Sequence, residues 1–260
     1  MKILVVGDYM IDKYIWGDTE RVSPEAPVVI VKVKDKTQSV GGAGNVLKNL
    51  ESLGCDTRLF YSDKEIYKTR VFSKGQQVIR LDEEDTSDSS YTKQDLEALK
   101  INCEWADWII VSDYAKGTVT KTVWNVLNPF KSKIIVDPKP VNKQFYKGVY
   151  LIKPNETEIV EMTGESNIEK AGKILSKELN TKVLITRGRR GATLIDKKVF
   201  NYPVESNEVG NVIGAGDTFI AVLVYCLDKG LDYAIKQANK AACKTVSKLG
   251  TYVIKREDLI

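Results

Sequence analysis

The apolar residues of this chain fall into short, nearly continuous runs that alternate with amphipathic stretches. Runs that are apolar on both faces predict buried strands at Ile3 to Val6, Trp108 to Val111, Ile134 to Val136, Val149 to Ile152 and Val183 to Ile185. Helical patterns occur at about 43–53, 93–100, 118–127, 156–162, 167–179 and 231–247. We expect two more short strands after Ile195. The alternation predicts an α/β fold, with a mainly parallel central sheet and helices on both faces.

Two regions depart from this alternation. Residues 12–34 alternate as strands do on either side of two prolines, and residues 69–82 are typical of a hairpin that turns at Lys74-Gly75. Together they predict a small separate β-sheet built from segments at about 12–36 and 67–84. Such a sheet commonly covers a ligand or pairs with another subunit, although an ordinary edge hairpin is the alternative. We therefore expect one domain, residues 1–260, with two lid segments.

The composition of the chain excludes several classes of protein. The chain has 260 residues, 43% apolar and 28% charged, which is typical of a globular domain and of neither a disordered nor a membrane protein. Its net charge of +4 is spread along the whole length, which argues against nucleic-acid binding. The first apolar run is too short for a signal peptide, and the four cysteines show no CxxC spacing, so we expect a cytoplasmic protein. Histidine is absent, so any general base is a carboxylate, Lys, Tyr or Cys.

The strongest chemical signal is Gly214-Ala215-Gly216-Asp217, directly before a ten-residue apolar run. Small residues at a helix start let the first backbone N–H groups close on an anion, and those groups lie at the positive end of the helix dipole. Asp217 stands in the same turn, where it can accept a proton from a hydroxyl. The motif therefore predicts an anion hole with a catalytic base, and packing or capping is the alternative.

Two further motifs open predicted helices. Gly41-Gly42-Ala43-Gly44-Asn45 offers backbone amides and one amide side chain to a hydroxylated ligand, but it matches neither GxGxxG nor a P-loop. Asn155 and Glu158 lie three apart on one helix face, where they can hold water ligands of Mg²⁺. A simple capping box is the alternative for this pair.

Carboxylates and cations complete the candidate set. Asp8, Asp12 and Asp113 follow predicted strands, and carboxylates at strand ends bind sugar hydroxyls well. Four cations can receive a phosphate that is already on the substrate: Arg70, Arg80, Lys116 and Lys139.

The order of these motifs resembles that of the ribokinase-like (PfkB) carbohydrate kinases. The likeness extends to one branch, the kinase domains of D-glycero-β-D-manno-heptose-7-phosphate kinases, which belong to bacterial lipopolysaccharide precursor synthesis. It rests on the blocks GDYMIDKYIWGDTERVSPEAPV, GGAGNV, TRVFSKGQQVIRLD, SDYAKG, VDPK, PNETE and KLGT, between residue 3 and about residue 251.

The resemblance implies the roles of the site residues. Asp217 matches the catalytic base, with Gly214, Ala215 and Gly216 as the anion hole. ATP and its Mg²⁺ are implied at Asn155 and Glu158, and the nucleotide site at Thr186, Arg187, Gly188 and Asn239. The sugar site is implied at Asp8, Gly41, Gly42, Asn45, Arg70 and Arg80, with Asp113, Lys116 and Lys139 as further partners. We also expect a monovalent cation among the cofactors. Pairing through the lid makes a homodimer the expected assembly, and the charge and composition predict no nucleic-acid or membrane partner.

The sequence also departs from the family pattern. Between Phe60 and Tyr67, where the family inserts several tens of residues, only the six residues 61–66 remain. Asn211 and Ile213 precede the anion hole where the family has Asp and Thr, and we expect no fused nucleotidyltransferase domain after Ile260. These departures keep two alternatives open: a kinase for another sugar or sugar phosphate, and a catalytically weakened relative that binds nucleotide or sugar.

Overall fold

The computed structural model of the protein describes residues 1–204, 213–247 and 252–259. The main sheet has eight strands in the order β12-β11-β10-β9-β8-β7-β1-β4. These strands are β1 (Lys2–Gly7), β4 (Asp56–Phe60), β7 (Trp108–Ser112), β8 (Ile134–Asp137), β9 (Leu151–Ile152), β10 (Lys182–Thr186), β11 (Ala192–Ile195) and β12 (Val199–Tyr202). Six neighbouring strands run parallel to one another: β10, β9, β8, β7, β1 and β4. Strand β11 is antiparallel to β10, and β12 is antiparallel to β11.

Helices cover both faces of this sheet, as predicted. They are α1 (Ala43–Ser52), α2 (Lys93–Trp105), α3 (Lys121–Leu127), α4 (Glu156–Thr163), α5 (Ile168–Leu179), α6 (Ala215–Tyr225) and α7 (Leu231–Val246). Successive residues of β1 point to opposite faces: Ile3 and Val5 pack with α1, α6 and α7, whereas Leu4 and Val6 pack on the side of α2 to α5. The apolar runs are continuous because both faces are buried.

A second sheet has four strands in the order β3-β2-β5-β6. Its strands are β2 (Tyr9–Val22), β3 (Val29–Gly42), β5 (Tyr67–Ser73) and β6 (Gln76–Glu83). The hairpin turn is confirmed at Lys74 (φ 48°) and Gly75 (φ 79°). This sheet is larger than predicted, because backbone pairing of β2 with β3 continues to Gly42 through polar residues that carry no strand-like alternation.

Several predicted boundaries were wrong. The strand β4 was missed, because its alternating polar residues Asp56 and Arg58 face outward at the sheet edge. Helix α3 begins at Lys121 rather than residue 118, since the Thr120 side chain caps it. Of the two strands expected after Ile195, β12 is described; residues 205–212, which complete the segment before α6, lie outside the described residues, so the second strand stays a prediction.

Candidate active site

The candidate site lies at the carboxyl edge of the main sheet. Asp8 follows β1, Asp113 follows β7, Asp137 ends β8, Lys153 follows β9 and Thr186 ends β10. Parallel strands end along the same edge, which is where ligands bind in such sheets. A cavity of about 540 Å³ opens there, and its lining includes four of these five residues, Asp8 being the exception. Its volume is in the range that small-molecule ligands occupy.

The Gly214-Ala215-Gly216-Asp217 motif forms the start of α6, as predicted. Gly214 is the N-cap residue in a left-handed conformation (φ 77°), and Asp217 is the third helical residue. The first intrahelical bond is donated by the Thr218 N–H to the Gly214 carbonyl (2.9 Å), so the N–H groups of residues 214–217 have no acceptor within the helix. Asn211 lies outside the described residues.

Open space lies in front of this helix start. A Cβ built on Gly216 meets nothing closer than Lys153 Nζ at 3.8 Å and Asp137 Oδ2 at 3.9 Å, which is ordinary van der Waals contact. Lys153 and Asp137 form a buried ion pair (2.9 Å). The glycine is therefore not required by packing against the protein, and its bare backbone faces the cavity.

The Asp217 carboxyl is 5% exposed and held by two donors. The Tyr114 hydroxyl donates to Oδ1 (2.7 Å) and Asn45 Nδ2 donates to Oδ2 (2.8 Å). Burial raises the pKa of Asp217 to about 6, while these two hydrogen bonds act in the opposite direction. A carboxyl with this pKa is able to accept a proton near neutral pH.

Asp8 shapes the neighbouring loop. Its side chain is 0% exposed, and its two oxygens accept the backbone N–H groups of Tyr114 (2.8 Å), Lys116 (3.1 Å) and Thr118 (3.0 Å). The Asp8 carboxylate is therefore occupied in holding the backbone of the loop after β7, and its place in the sugar site stays a prediction. Asp113 lines the cavity, and burial raises its pKa to about 6.

The capping-box interpretation of Asn155 and Glu158 is confirmed. The Asn155 side chain accepts the Glu158 N–H (2.9 Å), and Glu158 Oε2 accepts the Asn155 N–H (2.9 Å). The other oxygen of Glu158 pairs with Lys139 (2.5 Å). All three residues nonetheless line the cavity. The motif thus serves the fold of α4 and also presents a carboxylate to the site.

The residues predicted for the nucleotide site divide into two groups. Thr186, Gly188 and Asn239 line the cavity. Arg187 does not, because its guanidinium turns to Glu156 (3.1 Å) and Thr193 (3.2 Å). The described arginine that lines the cavity in this segment is Arg189.

The second sheet brings the predicted lid cations close to carboxylates. Three of the predicted cations pair with carboxylates in or next to this sheet: Arg70 with Asp12 (2.5 Å), Arg80 with Asp82 (2.6 Å) and Lys116 with Glu84 (2.5 Å). Gly41 and Gly42 end β3 where an added Cβ would clash with Asp12 and with the Asp8 backbone. The two glycines therefore allow the end of β3 to lie close to Asp12 and to Asp8, which follows β1, and this explains why glycines stand at these two positions of the motif.

Four polar or charged side chains that line the cavity were missed: Tyr114, Asp137, Lys153 and Arg189. Asp137 carries the signal used for Asp113, a carboxylate at a strand end, within the block VDPK. Tyr114 lies within the block SDYAKG but was given no role, and Lys153 and Arg189 carry no sequence signal of their own, since only the tertiary structure turns them toward the site.

The donor set fits a nucleotide phosphate and Mg²⁺. The free amides of the α6 start suit an anion, and the cavity-lining carboxylates of Asp137 and Glu158 are hard oxygen ligands. Within residues 1–204, 213–247 and 252–259, no three His, Cys, Asp or Glu side chains are grouped to hold a metal ion. A magnesium ion here would therefore keep water and phosphate ligands. In the same ranges, no helix is both long and apolar enough to span a bilayer.

A buried carboxylate beside free helix amides, at the carboxyl edge of a sheet covered on both faces, is the arrangement expected of a phosphoryl-transfer site of the ribokinase-like type. A family model described as "pfkB family carbohydrate kinase" matches residues 80–257. The chain belongs to this family of carbohydrate kinases.

The similar structures agree in fold. Ribokinase from Thermotoga maritima superposes with a TM-score of 0.78 at 20% identity, covering 99% of this chain and 97% of that one. Arabidopsis thaliana ribokinase, complexed with ribose and ATP, gives 0.73 at 18% identity, covering 99% and 96%. Phosphofructokinase-2 from Escherichia coli, in complex with potassium, gives 0.77 at 13%, covering 99% and 96%.

The similar sequences are bifunctional proteins. The protein "Bifunctional protein HldE" of Campylobacter jejuni subsp. doylei is 34% identical over 294 residues, covering 99% of this chain and 64% of that protein. Its counterpart in Campylobacter concisus is 36% identical over 292 residues, covering 96% and 62%. This chain therefore spans less than two thirds of the length of these relatives. The alignments are longer than the 260-residue chain, so these relatives contain residues that this chain lacks.

Proposed function

We propose that this chain is an ATP-dependent kinase that phosphorylates the anomeric hydroxyl of D-glycero-β-D-manno-heptose 7-phosphate, giving the 1,7-bisphosphate. One observation carries the proposal: Asp217, held by two donors, lies in the same helical turn as the unused amides of residues 214–217. That arrangement supports removal of a proton from an alcohol and stabilisation of a migrating phosphoryl group.

In the proposed reaction, Asp217 accepts the proton of the anomeric hydroxyl as that oxygen attacks the γ-phosphate of ATP in line. The phosphate oxygens then receive hydrogen bonds from the α6 amides, which are already oriented before the reaction. Mg²⁺, when bound, neutralises phosphate charge, and Asp137 and Glu158 would hold it through water. Thr186, Gly188 and Asn239 would contact the nucleotide.

A phosphorylated acceptor is supported by the charges of the second sheet. Arg70, Arg80 and Lys116 each have a carboxylate partner, whereas Lys68 forms no ion pair among the described residues. Burial and the nearby charge of Arg80 lower the pKa of Lys68. Lys68 thus has no directly bonded carboxylate, although Asp12 and Asp82 act on it from farther away, and a phosphate on the acceptor would give it a close anionic partner.

Replacement of Asp217 tests the base. We expect Asp217→Asn to abolish acceptor-dependent ADP formation while ATP binding, measured by calorimetry, stays near the wild-type value. Asp232→Asn is a matched control, because Asp232 also lies in the first turn of a helix but is exposed and pairs with Lys236. Undiminished turnover by Asp217→Asn contradicts the proposed role.

A second candidate is a kinase for another sugar phosphate, which is favoured by the shortened segment 61–66 between β4 and β5. ADP release measured over a panel of sugars and sugar phosphates, with heptose 7-phosphate included, separates the two. Tight ATP binding without ADP release for any acceptor would instead indicate a nucleotide-binding relative.

The proposal extends to the cell and the assembly. Exposed apolar residues of the second sheet, Val22, Val29, Val33, Ile79 and Leu81, support a homodimer formed through the lid. Four free cysteines and the use of ATP support a cytoplasmic location. The potassium complex of the similar phosphofructokinase-2 supports a monovalent-cation requirement. Light scattering tests the homodimer, and activity measured with and without K⁺ tests the cation requirement.

A further inference from the structure

We infer that Tyr114 is a positioning residue for the base: its hydroxyl, together with Asn45, holds the Asp217 carboxylate toward the acceptor and in its ionised form. The inference rests on the proposed function of Asp217. It concerns a residue that the sequence motifs did not single out, and it is carried by three features of the loop between β7 and α3.

The first feature is the geometry at the carboxylate. Tyr114 Oη lies 2.7 Å from Oδ1 of Asp217, and Asn45 Nδ2 lies 2.8 Å from Oδ2. Two donors on different oxygens fix the plane of the carboxylate. Each oxygen keeps a second lone pair, so the base can still accept a hydrogen bond from an acceptor hydroxyl.

The second feature is the rigidity of the loop. Asp8 accepts the N–H of Tyr114 itself, and the N–H groups of Lys116 and Thr118. Asp113 accepts the N–H of Ala115 (2.7 Å), a non-glycine residue with φ 54°. These hydrogen bonds restrict the loop backbone and therefore fix the position of the tyrosine hydroxyl, which a positioning residue requires.

The third feature is the setting of the ring. The ammonium of Lys68, on β5 of the second sheet, lies 5.5 Å from the ring centroid of Tyr114. The ammonium of Lys139, which follows β8 of the main sheet, lies 5.7 Å from the same centroid. Tyr114 also lines the cavity. The ring therefore lies between the two sheets, next to the place where an acceptor would bind.

The electrostatics agree with this role. The charged groups around Asp217 and Tyr114 are Asp12, Asp137, Lys153, Lys68 and Lys139. Burial and the nearby Asp217 raise the pKa of Tyr114 well above 10, so the phenol remains a donor throughout the range in which Asp217 titrates. Its hydrogen bond lowers the pKa of Asp217 against the effect of burial.

Tyr114→Phe tests the inference, with the pH dependence of kcat/KM as the decisive measurement. We expect kcat to fall about tenfold and the acid limb to move about one pH unit upward, because the carboxylate loses a donor to its charged form. The KM for ATP should stay within about twofold of the wild-type value. An unmoved acid limb would overturn the inference, since a structural role alone does not shift a titration.

Tyr91→Phe is the matched control. Its hydroxyl donates to the Thr118 carbonyl of the same loop (3.3 Å) but does not reach Asp217, so the acid limb should stay in place. If Tyr114→Phe does not fold, replacement of Tyr114 by 3-fluorotyrosine keeps the shape and strengthens the donor. The acid limb should then move to lower pH, and no movement counts against the inference.

The proposed function and this inference fail in different ways. If the wild-type protein transfers phosphate to no sugar, the proposed function fails. The inference is then read from the ¹³C carboxyl signal of Asp217, whose titration should move to higher pH in Tyr114→Phe. An identical titration in both proteins overturns it without any activity assay.

Discussion

Gly216→Ala separates an anion hole from a packing motif. The Cβ of alanine would lie 3.8 Å from Lys153 Nζ and 3.9 Å from Asp137 Oδ2, with no closer protein atom outside its own helix. Alanine also favours a helix over glycine by about 0.5–1 kcal/mol. We therefore expect the variant to be as stable as the wild-type protein, or more stable by up to about 1 kcal/mol.

Activity should respond in the opposite direction. In the proposed reaction, the transferring phosphoryl group meets the α6 amides where the new methyl group would lie, and loss of one preorganised donor of this kind costs about 10²–10³ in rate. We expect kcat/KM in a coupled ADP assay to fall by about 100-fold or more. Thermal unfolding should show no loss of stability.

Gly172→Ala provides the contrast. Its Cβ would lie 2.6 Å from Ile195 Cγ1, within the core between α5 and β11, so this variant should unfold at lower temperature. Wild-type turnover by Gly216→Ala would refute the anion hole. A lowered unfolding temperature of Gly216→Ala would instead support packing as the reason for the glycine.

Two further predictions concern the base and the acceptor. The pKa of Asp217 is about 6, raised by burial, so the base is protonated below that pH, and kcat/KM should fall there with a slope of one proton. An acid limb near pH 4 would contradict this environment for the carboxyl. Lys68→Met should raise the KM for a sugar phosphate by about tenfold to 100-fold and leave an unphosphorylated sugar unaffected. Lys13→Met is its control, because Lys13 lies on the neighbouring strand against Tyr67, and equal effects of both variants would contradict a phosphate contact.

Much of the fold could be predicted, because its signals are local. Continuous apolar runs such as Ile109 to Val111 occur only where both faces of a strand are buried, so they predicted the parallel sheet. Lys74-Gly75 predicted its hairpin, since the turn needs residues that tolerate positive φ. The strand β4 was missed because an edge strand with charged outward residues resembles a loop.

The chain by itself determined the helix start that we propose as anion hole and base, since Gly214 to Asp217 are consecutive and the helix start follows from their small side chains and the apolar run behind them. Only the tertiary structure decided what surrounds that base. Asn45 and Tyr114 lie 172 and 103 residues from Asp217 in sequence, and nothing local directs either side chain to it. The position of Tyr114 depends on Asp8, 106 residues away, whose buried carboxylate orients the loop. Contacts between residues so far apart in sequence form only when the strands pack side by side at the sheet edge, so the local sequence pattern does not predict them.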